Sequence, residues 1–398
     1  MSSTHSIPSI DRSYLLTVTQ RLIRAPSVNP PGKEHLAGEV AQKAMSEIGL
    51  KVIVEEIETG RENVIGIFDT GREGPTLMFN GHLDVVPAGD ESLWLSPPFQ
   101  PRLENNRLYG RGSCDMKGGL AAVLAAIKSS SEVAENLRGK IIVAMVMDEE
   151  SGGTGTRETV RRGYKADMAI IAEPTKLQVL TAHKGVLTFE ISTHGKSIHA
   201  STVRSSGPGA SVSAIYKMGK VLSAFQDYLV QLEKKPHPLV GNPTVNVGTI
   251  AGGTKQNVVP DLCTIVAERR LIPGEKKEDA IEEVRAILDG IAHTDPDFKY
   301  DMRVVMSRES AEIPSGSRIV ELARNAVRFV TGKDPGFAGF VASTDMAILV
   351  NEGGIPTVML GPGDIAQAHT PNEFVDFDEV VTAAQIYAKL IVDVLSKP

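Results

Sequence analysis

The sequence predicts an α/β protein with a mostly parallel sheet, into which a second, α+β unit is inserted. Three observations support this prediction. The 398 residues exceed the roughly 250–300 at which a single hydrophobic core stops growing. Segments with helical apolar spacing alternate with short apolar strands in the first part of the chain and again near its end. Between these two parts the order changes to β-α-β-β-α-β, which is typical of a ferredoxin-like unit.

Alternating elements occupy the first part of the chain. Some segments have apolar residues at helical spacing, and short runs rich in branched apolar side chains lie between them. This alternation is typical of a parallel sheet covered by helices. In chain order the segments are the helices "YLLTVTQRLI" and "LAGEVAQKAMSEIGL", the strands "KVIVEEI", "NVIGIF" and "TLMFN", the helix "MKGGLAAVLAAIKSS", the strand "IIVAMVM", the helix "TRETVRRG" and the strand "MAIIA".

The middle of the chain follows a different order. Its elements are the strand "VLTFEIST", a long helix in "ASVSAIYKMGKVLSAFQDYLVQLE", the strands "TVNVGTI" and "CTIVAERRLI", the helix "EDAIEEVRAILDGIA" and the strand "KYDMRVVMS". The alternation then resumes with the helices "RIVELARNAVRFV" and "MAILVNEG", the strand "IPTVML" and the helix "VVTAAQIYAKLIVDVL". We therefore predict one domain formed by residues 1–181 and 308–398, and an inserted domain at 182–307.

The charge balance argues against nucleic acids and membrane surfaces as partners. The chain has 42 Lys and Arg against 49 Asp and Glu, a net charge of -7, and no basic cluster. Its start has neither a basic leader nor an apolar stretch. The two cysteines, Cys114 and Cys263, are too few for a disulfide framework and fit a reducing compartment. We expect a cytoplasmic protein in which Cys114 is a small buried side chain rather than a nucleophile.

Side chains that commonly bind metals follow one apolar strand after another. The carboxyl ends of parallel strands meet at one edge of a sheet, so these groups are expected to converge. Each of them alone has an ordinary interpretation as a hydrogen-bonded or solvated side chain. As a mixture of imidazoles and carboxylates they suit zinc, and also cobalt or manganese. The set is His82, Asp84, Glu149, Glu150, Glu173 and His369.

Local spacing indicates different roles within the "GHLD" and "GRGSCDMKGG" segments. An extended backbone places His82 and Asp84 on the same side. Asp84 therefore either fixes the tautomer of a metal-bound imidazole or is an exposed acid in a turn. Asp115 precedes a predicted helix, where it is either a helix N-cap or a carboxylate that bridges two ions.

The "DEES" segment crowds Asp148, Glu149 and Glu150 at the end of a strand. Two unit charges ~4 Å apart repel by about 4 kcal/mol at the effective dielectric of a protein surface. Water is one way to offset this repulsion, and a bound cation is the other. Neighbours on an extended backbone point in opposite directions, so one glutamate is expected to hold a metal while the other acts on the water bound there. Asp148 is assigned to solvent or a turn.

The signatures of several other enzyme classes are missing from the sequence. It contains no HExxH, GxSxG, GxGxxG or GxxxxGK pattern. These are the usual marks of zincins, serine hydrolases, dinucleotide enzymes and phosphate-loop ATPases.

Five stretches resemble, in order, the successive motifs of one family. They are "MFNGHLDVVP", "GRGSCDMKGG", "DEESGGTGT", "AEPT" and "GPGDIAQAHTPNEF". The family is that of the co-catalytic dinuclear zinc metallopeptidases and deacylases, which includes acetylornithine deacetylase, succinyl-diaminopimelate desuccinylase, aminoacylase and glutamate carboxypeptidase. One motif alone is weak, but five in register along nearly the whole chain are specific. The resemblance implies a catalytic α/β domain and an inserted lid that pairs two subunits.

The resemblance also implies two zinc ions per subunit. The ligands are His82, Asp115 and Glu173 at one ion and Asp115, Glu150 and His369 at the other, so that Asp115 bridges them. Glu149 is then the general base, and Asp84 supports His82. Glutamate at position 173 points to the deacylases and carboxypeptidases of the family, since dipeptidases tend to have aspartate there and ureide hydrolases histidine.

Three residues of the inserted domain match further family positions. His199, in "HGKSIHAS", is expected to reach the partner's active site and stabilise the oxyanion, or else is a solvated histidine at a helix start. Asn257 and Arg270 match residues that bind polar groups of the substrate and its carboxylate. Asn257 also suits a turn, and Arg270 a solvated strand position. Spacing to the following "PG" favours Arg270 over Arg269.

The predicted function is hydrolysis of the amide bond of an N-acyl amino acid, in the manner of acetylornithine deacetylase or succinyl-diaminopimelate desuccinylase. A metal-activated water attacks the amide, and Glu149 transfers its proton to the leaving amine. A glutamate carboxypeptidase or dipeptidase would use the same site, and a non-catalytic binding relative is a further alternative. We expect a homodimer paired through the inserted domain that acts on an N-acyl amino acid or a short peptide.

Overall fold

The chain divides into two compact units. The computed structural model describes residues 8–205, 207 and 209–396. The first unit comprises Met1–Thr181, Ile313–Ala338 and Thr344–Pro398, and the second comprises Ala182–Glu312 and Gly339–Ser343. The predicted inserted segment, 182–307, lies inside the second unit. The catalytic and lid roles assigned to the two segments stay predictions.

Helices and strands are numbered in chain order. They are α1 (Arg12–Arg24), α2 (His35–Glu47), β1 (Lys51–Glu58), β2 (Arg61–Asp69), β3 (Thr76–His82), β4 (Arg102–Glu104), β5 (Arg107–Tyr109), α3 (Gly118–Ser131), β6 (Lys140–Val146), α4 (Thr154–Arg161), β7 (Met168–Ile171), β8 (Leu180–His183), β9 (Gly185–His194), α5 (Ala214–Leu232), β10 (Thr244–Gly252), β11 (Leu262–Leu271), α6 (Lys277–Thr294), β12 (Lys299–Arg308), β13 (Ala311–Glu312), α7 (Arg318–Thr331), β14 (Ala338–Phe340), β15 (Thr357–Met359), β16 (Phe374–Asp376) and α8 (Phe377–Leu395). Within the described part of the chain, no helix is both long enough and apolar enough to cross a membrane.

A mixed sheet with a parallel centre forms the core of the first unit. Six neighbouring strands of this nine-stranded sheet lie in the order β1-β2-β6-β3-β7-β15. Strands β6, β3, β7 and β15 run parallel, whereas β1 and β2 are antiparallel at one edge. The parallel strands are mostly buried, as expected where helices cover the sheet. Phe79 of β3 contacts Tyr387 of α8 edge to face, with ring centroids 5.4 Å apart.

The parallel strands determine where the metal-type side chains lie. Strand β3 ends at His82, β6 at Val146, β7 at Ile171 and β15 at Met359. His82 pairs in register with Val146, so β3 and β6 end at the same level. The segments that leave these strands therefore emerge at one edge of the sheet, where parallel sheets bind ligands.

An antiparallel sheet in the order β10-β11-β9-β12 forms the second unit, with α5 and α6 packed on it. Its chain order, β9-α5-β10-β11-α6-β12, is the predicted β-α-β-β-α-β. In β11 the alternate residues Cys263, Ile265 and Ala267 are buried in the core. Glu268 and Arg270 therefore lie on the opposite face. The predicted fold class, a mostly parallel α/β sheet with a separate α+β unit, is confirmed.

Candidate metal centre

Asp115 lies between two imidazoles. Its Oδ1 is 3.0 Å from Nε2 of His82, and its Oδ2 is 3.4 Å from Nε2 of His369. Nε2 of His369 is also 3.1 Å from Oε2 of Glu150. His82, Asp115 and Glu150 each offer one ligand atom within 4.8 Å of the others. Each oxygen of Asp115 therefore faces a different histidine, as a bridging carboxylate requires.

Glu173 completes the side of the cluster that contains His82. It follows β7, is buried, and places Oε1 3.9 Å from Nε2 of His82. The structure thus brings together all five predicted ligands, in two groups that share Asp115. Metal binding by these groups remains a proposal.

The charges of the cluster favour cations. Burial lowers the pKa of His82, but Asp115, together with Glu173 and Asp84, outweighs burial and raises that pKa well above its usual value. Asp115 and Glu150 raise the pKa of His369 to about 10. Burial, reinforced by Asp115, raises the pKa of Glu150 to about 7 and that of Glu173 well above its usual range. Without an ion the cluster therefore holds protons. Divalent cations would displace them, so this donor set fits metal ions.

His82 is oriented by a main-chain carbonyl. Its Nδ1 lies 2.8 Å from the backbone oxygen of Asp84, which fixes the ring so that Nε2 points at Asp115. The carboxylate of Asp84 lies farther off, with Oδ1 3.6 Å from Nδ1. The prediction that the Asp84 side chain fixes the tautomer is thus wrong in detail, because the backbone of the same residue accepts this bond.

The carboxylate of Asp84 instead anchors the "DEES" segment. Oδ1 accepts the backbone N–H of Glu149 and Oδ2 that of Glu150, both at 3.1 Å. Nδ2 of Asn29 donates a third hydrogen bond at 2.9 Å. The side chain is fully buried, and burial raises its pKa. Asp84 therefore positions both glutamates through their main chain.

Glu149 lies beside the cluster. It is buried, and its charge contributes to the raised pKa values of Asp84 and Glu173. Glu150 directs its carboxylate at His369. The contact of Glu150 with His369 fits a ligand role for Glu150, and the role of Glu149 as a base stays a prediction.

Asp148 lies in a turn, one of the two environments predicted for it, and its side chain is not in solvent, the other. Its carboxylate is buried and accepts hydrogen bonds from Thr154 at 2.6 Å, Arg61 at 3.1 Å and Asn29 at 3.2 Å. Its backbone oxygen accepts from Gly152 at 2.9 Å, closing the turn. Arg61 therefore offsets one of the three crowded charges. This pairing was not predictable from local spacing, because Arg61 lies on a hairpin far from Asp148 in the chain.

The segment around Asp115 is held by a residue that the sequence analysis missed. Glu373 is fully buried and accepts the backbone N–H groups of Gly112 at 3.0 Å, Cys114 at 2.9 Å and Asp115 at 3.1 Å. The only sign in the sequence that Glu373 belongs to the site was its place in the "AHTPNEF" motif. Helix α3 begins at Gly118, so Asp115 is not its N-cap and the capping interpretation is wrong.

Cys114 has the character of a buried side chain. Its Sγ donates to the backbone oxygen of Asp364 at 3.3 Å. Burial, with Glu373 nearby, raises its pKa well above the usual value. A nucleophile needs the opposite shift.

His199 and Asn257 lie together in the second unit. Nε2 of His199 is 3.4 Å from Nδ2 of Asn257, and its Nδ1 is 2.7 Å from Oγ of Ser201. His199 is exposed and precedes a short 3₁₀ turn, Ala200–Thr202. This geometry suits both interpretations of His199, and its catalytic role stays a prediction.

The two neighbouring arginines of β11 have different environments. Arg269 is fully buried and bound to Glu275 at 2.7 Å and to the Tyr228 hydroxyl at 3.1 Å. Arg270 is part-exposed, and its Nε donates to Glu268 at 2.7 Å. Arg269 is therefore committed to the core of the second unit, which leaves Arg270 as the arginine available to a ligand.

Residues 78–393 match Peptidase family M20/M25/M40. The match contains all five predicted metal ligands and Glu149. The chain belongs to this family. The resemblance drawn from the five motifs is thereby confirmed, and the protein is an amidohydrolase or peptidase.

The proteins similar to this chain include both deacylases and peptidases. Acetylornithine deacetylase of Vibrio parahaemolyticus is 31% identical over 87% of this chain and 88% of its own. N-formyl-4-amino-5-aminomethyl-2-methylpyrimidine deformylase of Bacillus subtilis is 29% identical over 96% of this chain and 94% of its own. An M20 family metallo-carboxypeptidase from Sulfolobus solfataricus has the same fold, with a TM-score of 0.79 and 20% identity over 95% of this chain and 98% of that one.

Proposed function

We propose that this protein is a dinuclear zinc hydrolase that removes the acyl group of an N-acyl amino acid. The observation that carries the proposal is the position of Asp115, with one oxygen 3.0 Å from His82 and the other 3.4 Å from His369. A carboxylate between two imidazoles suits two ions that share a ligand. The curated relatives are named as a deacetylase and a deformylase, which favours a small acyl group.

Each ion would have a distinct ligand set. The proposed ligands are His82, Asp115 and Glu173 for one ion and Asp115, Glu150 and His369 for the other. Zinc suits this mixture of imidazole and carboxylate, and cobalt or manganese can replace it. The ions would supply Lewis acidity to the amide carbonyl and lower the pKa of water toward neutrality.

The protein's own part in the reaction is proton transfer and orientation. Glu149 takes the proton of the attacking water and delivers it to the leaving amine. Asp84 holds the backbone of Glu149, which fixes where that carboxylate can act. Burial keeps Glu149 away from bulk solvent.

Arg270 is proposed to bind the substrate carboxylate, and Asn257 a neighbouring polar group. Among the described residues, Glu268 is the one hydrogen-bond partner of the Arg270 side chain, and it contacts Nε. Nη1 and Nη2 are thus available to donate two parallel hydrogen bonds to a carboxylate. This arrangement supports a substrate with a free α-carboxylate.

The proposal includes a homodimer paired through the second unit. In it, the partner subunit's His199 stabilises the oxyanion of the tetrahedral intermediate, a type of interaction that contributes about 3–4 kcal/mol per donor in other hydrolases. A cytoplasmic location, favoured by the free cysteines Cys114 and Cys263, also stays a prediction.

The test is a substrate panel with the purified protein, loaded with zinc or cobalt. The panel contains N-acetyl-L-ornithine, N-succinyl-L,L-diaminopimelate, N-formyl-L-methionine, N-acetyl-L-methionine and unmodified dipeptides. We expect metal-dependent release of free amine from an N-acyl amino acid, abolished by a chelator and restored by metal. Faster cleavage of dipeptides would replace the deacylase by a dipeptidase. Metal binding without cleavage of any amide would favour a binding protein.

A further inference from the structure

Glu373 connects two segments that carry proposed metal ligands. The first is the Asp115 loop, residues 110–117, whose N–H groups at positions 112, 114 and 115 all point at the Glu373 carboxylate. The second is the His369 loop, residues 361–373, in which Glu373 follows His369 by one short turn of chain. This side chain thereby ties the loop of the bridging carboxylate to the loop of a histidine of the proposed second ion, beside a backbone hydrogen bond from Gly110 to the Glu373 carbonyl oxygen at 2.9 Å.

Arg111 strengthens the same connection. Its Nη1 is 2.7 Å from Oε2 of Glu373 and 3.3 Å from the backbone oxygen of Thr370, next to His369. Both residues of this ion pair are almost fully buried. A buried ion pair is weak evidence of added stability, because desolvation offsets much of the attraction. The three directional bonds to the Asp115 loop therefore indicate a positioning role.

The two halves of the cluster differ in how firmly they are held. His82 ends a central strand and its side chain is 1% exposed, whereas the side chain of His369 is 55% exposed. His369 also has a left-handed backbone, with φ of 64°, which is uncommon for residues other than glycine. The His82 side therefore depends on the sheet, and the His369 side depends on its loop.

We propose that Glu373 is a positioning residue that holds the His369 loop against the Asp115 loop and thereby sets the affinity for the ion at Glu150 and His369. This inference rests on the proposed dinuclear centre. It predicts stepwise metal binding, with the first ion at the side held by the sheet. Loss of Glu373 weakens the second step much more than the first.

The decisive variant is Glu373→Gln. Zn²⁺ is titrated into the metal-free protein against a chromophoric chelator, which reports both dissociation constants. The second is expected to rise about 10–100-fold, the usual effect of removing a group that orients metal ligands, while the first changes much less. The visible bands of the Co²⁺ protein should change as the second ion is added. An unchanged second step overturns the proposal.

Two further variants separate positioning from folding. Glu275→Gln is the matched control, because Glu275 also accepts a backbone N–H, that of Ile272 at 3.0 Å, and pairs with a buried arginine, Arg269, at 2.7 Å. None of these partners belongs to the Asp115 loop or the His369 loop. Arg111→Lys keeps the three backbone bonds of Glu373 and replaces its charged partner. Glu275→Gln should bind the second Zn²⁺ nearly as wild type does. Arg111→Lys, which alters the contact with Thr370, should weaken the second step less than Glu373→Gln does. A loss with Arg111→Lys as large as with Glu373→Gln would assign the effect to the ion pair and contradict the proposal.

Thermal unfolding of the metal-free proteins provides a second readout. Glu373→Asp retains the charge, but its side chain is one methylene shorter. It replaces Glu373→Gln as the test variant if Glu373→Gln does not fold. If Glu373 positions the ligands, the second dissociation constant of Glu373→Asp should rise clearly even when the melting temperature of its metal-free form falls little. An equal fractional weakening of both steps would point to general destabilisation and overturn the inference. If the wild-type protein binds no Zn²⁺ at all, the dinuclear centre itself is wrong.

Discussion

Oε2 of Glu150 lies 3.1 Å from Nε2 of His369, although the second unit separates them in the chain. The adjacent Glu149 is also buried. Asp84 holds the backbone N–H groups of both glutamates. Two neighbouring acids are thus fixed by one anchor, and the contact of Glu150 with His369 is the basis for assigning Glu150 as the metal ligand and Glu149 as the base.

Glu149→Gln should retain two metal ions per subunit and lose most of its activity. Proton transfer by a positioned base typically contributes about 10²–10⁴-fold to the rate, so kcat should fall by that order. Metal content is measured by mass spectrometry on the same samples. Glu150→Gln is the matched variant and should lose metal. If Glu149→Gln loses metal and Glu150→Gln keeps both ions and its activity, the two roles are reversed.

The sequence predicted which residues meet, because their positions after apolar strands determine the edge of the sheet at which they emerge. It did not predict how they are held. Asp84 was expected to contact His82 through its carboxylate, but that carboxylate accepts main-chain N–H groups from another strand end. Spacing within "GHLD" contains no information on donors that far along the chain.

The sequence also did not predict which buried groups pair with the charged residues of the site. Asp148 was assigned to solvent or a turn, but Arg61 reaches it from the β1–β2 hairpin. Glu373 was not singled out, although three main-chain N–H groups converge on it. Helical and strand periodicities identify apolar faces. They do not identify a buried acid whose partners are backbone groups of a remote loop.

Arg270→Ala should mainly impair substrates with a free α-carboxylate. Its Nη atoms are available to a ligand, so kcat/KM for N-acetyl-L-methionine should fall far more than that for N-acetyl-L-methionine amide. Arg303→Ala is the matched control, because Arg303 pairs with Glu190 at 2.7 Å on the same sheet. It should affect both substrates little. Equal losses on the acid and the amide would assign Arg270 to the fold or to an interface.

His183 should make the protein less stable in acid. It is fully buried at the end of β8, with Nδ1 2.8 Å from the backbone oxygen of Lys184. Burial lowers the pKa of His183 to about 4. The unfolded chain titrates near 6.5 and so binds more protons between these values. The contribution of neutral His183 to the free energy of unfolding is therefore fully present above pH ~6.5. It is lost as the pH falls toward 4, by up to about 3 kcal/mol.

The check is urea unfolding of His183→Gln and wild type at pH 7 and pH 4.5, with chelator present so that metal release does not contribute. The variant is expected to lose less stability between the two pH values than wild type does. His194→Gln is the control, since His194 is a part-exposed histidine of the same unit, paired with Asp301. Parallel losses in wild type and His183→Gln would show that His183 does not titrate in this range.

His199 provides the test of the proposed dimer. It belongs to the second unit, whereas every proposed metal ligand belongs to the first. If it completes the partner's site, His199→Ala and Glu150→Ala should each be nearly inactive, the former with its metals intact. His194→Ala, an imidazole lost from the same unit, should remain active.

Mixing His199→Ala with Glu150→Ala under conditions of subunit exchange should then restore activity. A heterodimer pairs the intact metal ligands of one chain with the intact His199 of the other, so it contains one complete site and one defective site. In a two-fold dimer at full statistical exchange, half of the dimers are of this kind, and roughly a quarter of wild-type activity should return. Native mass spectrometry verifies the exchange. If heterodimers form and activity stays near zero, His199 acts within its own subunit or has no catalytic role.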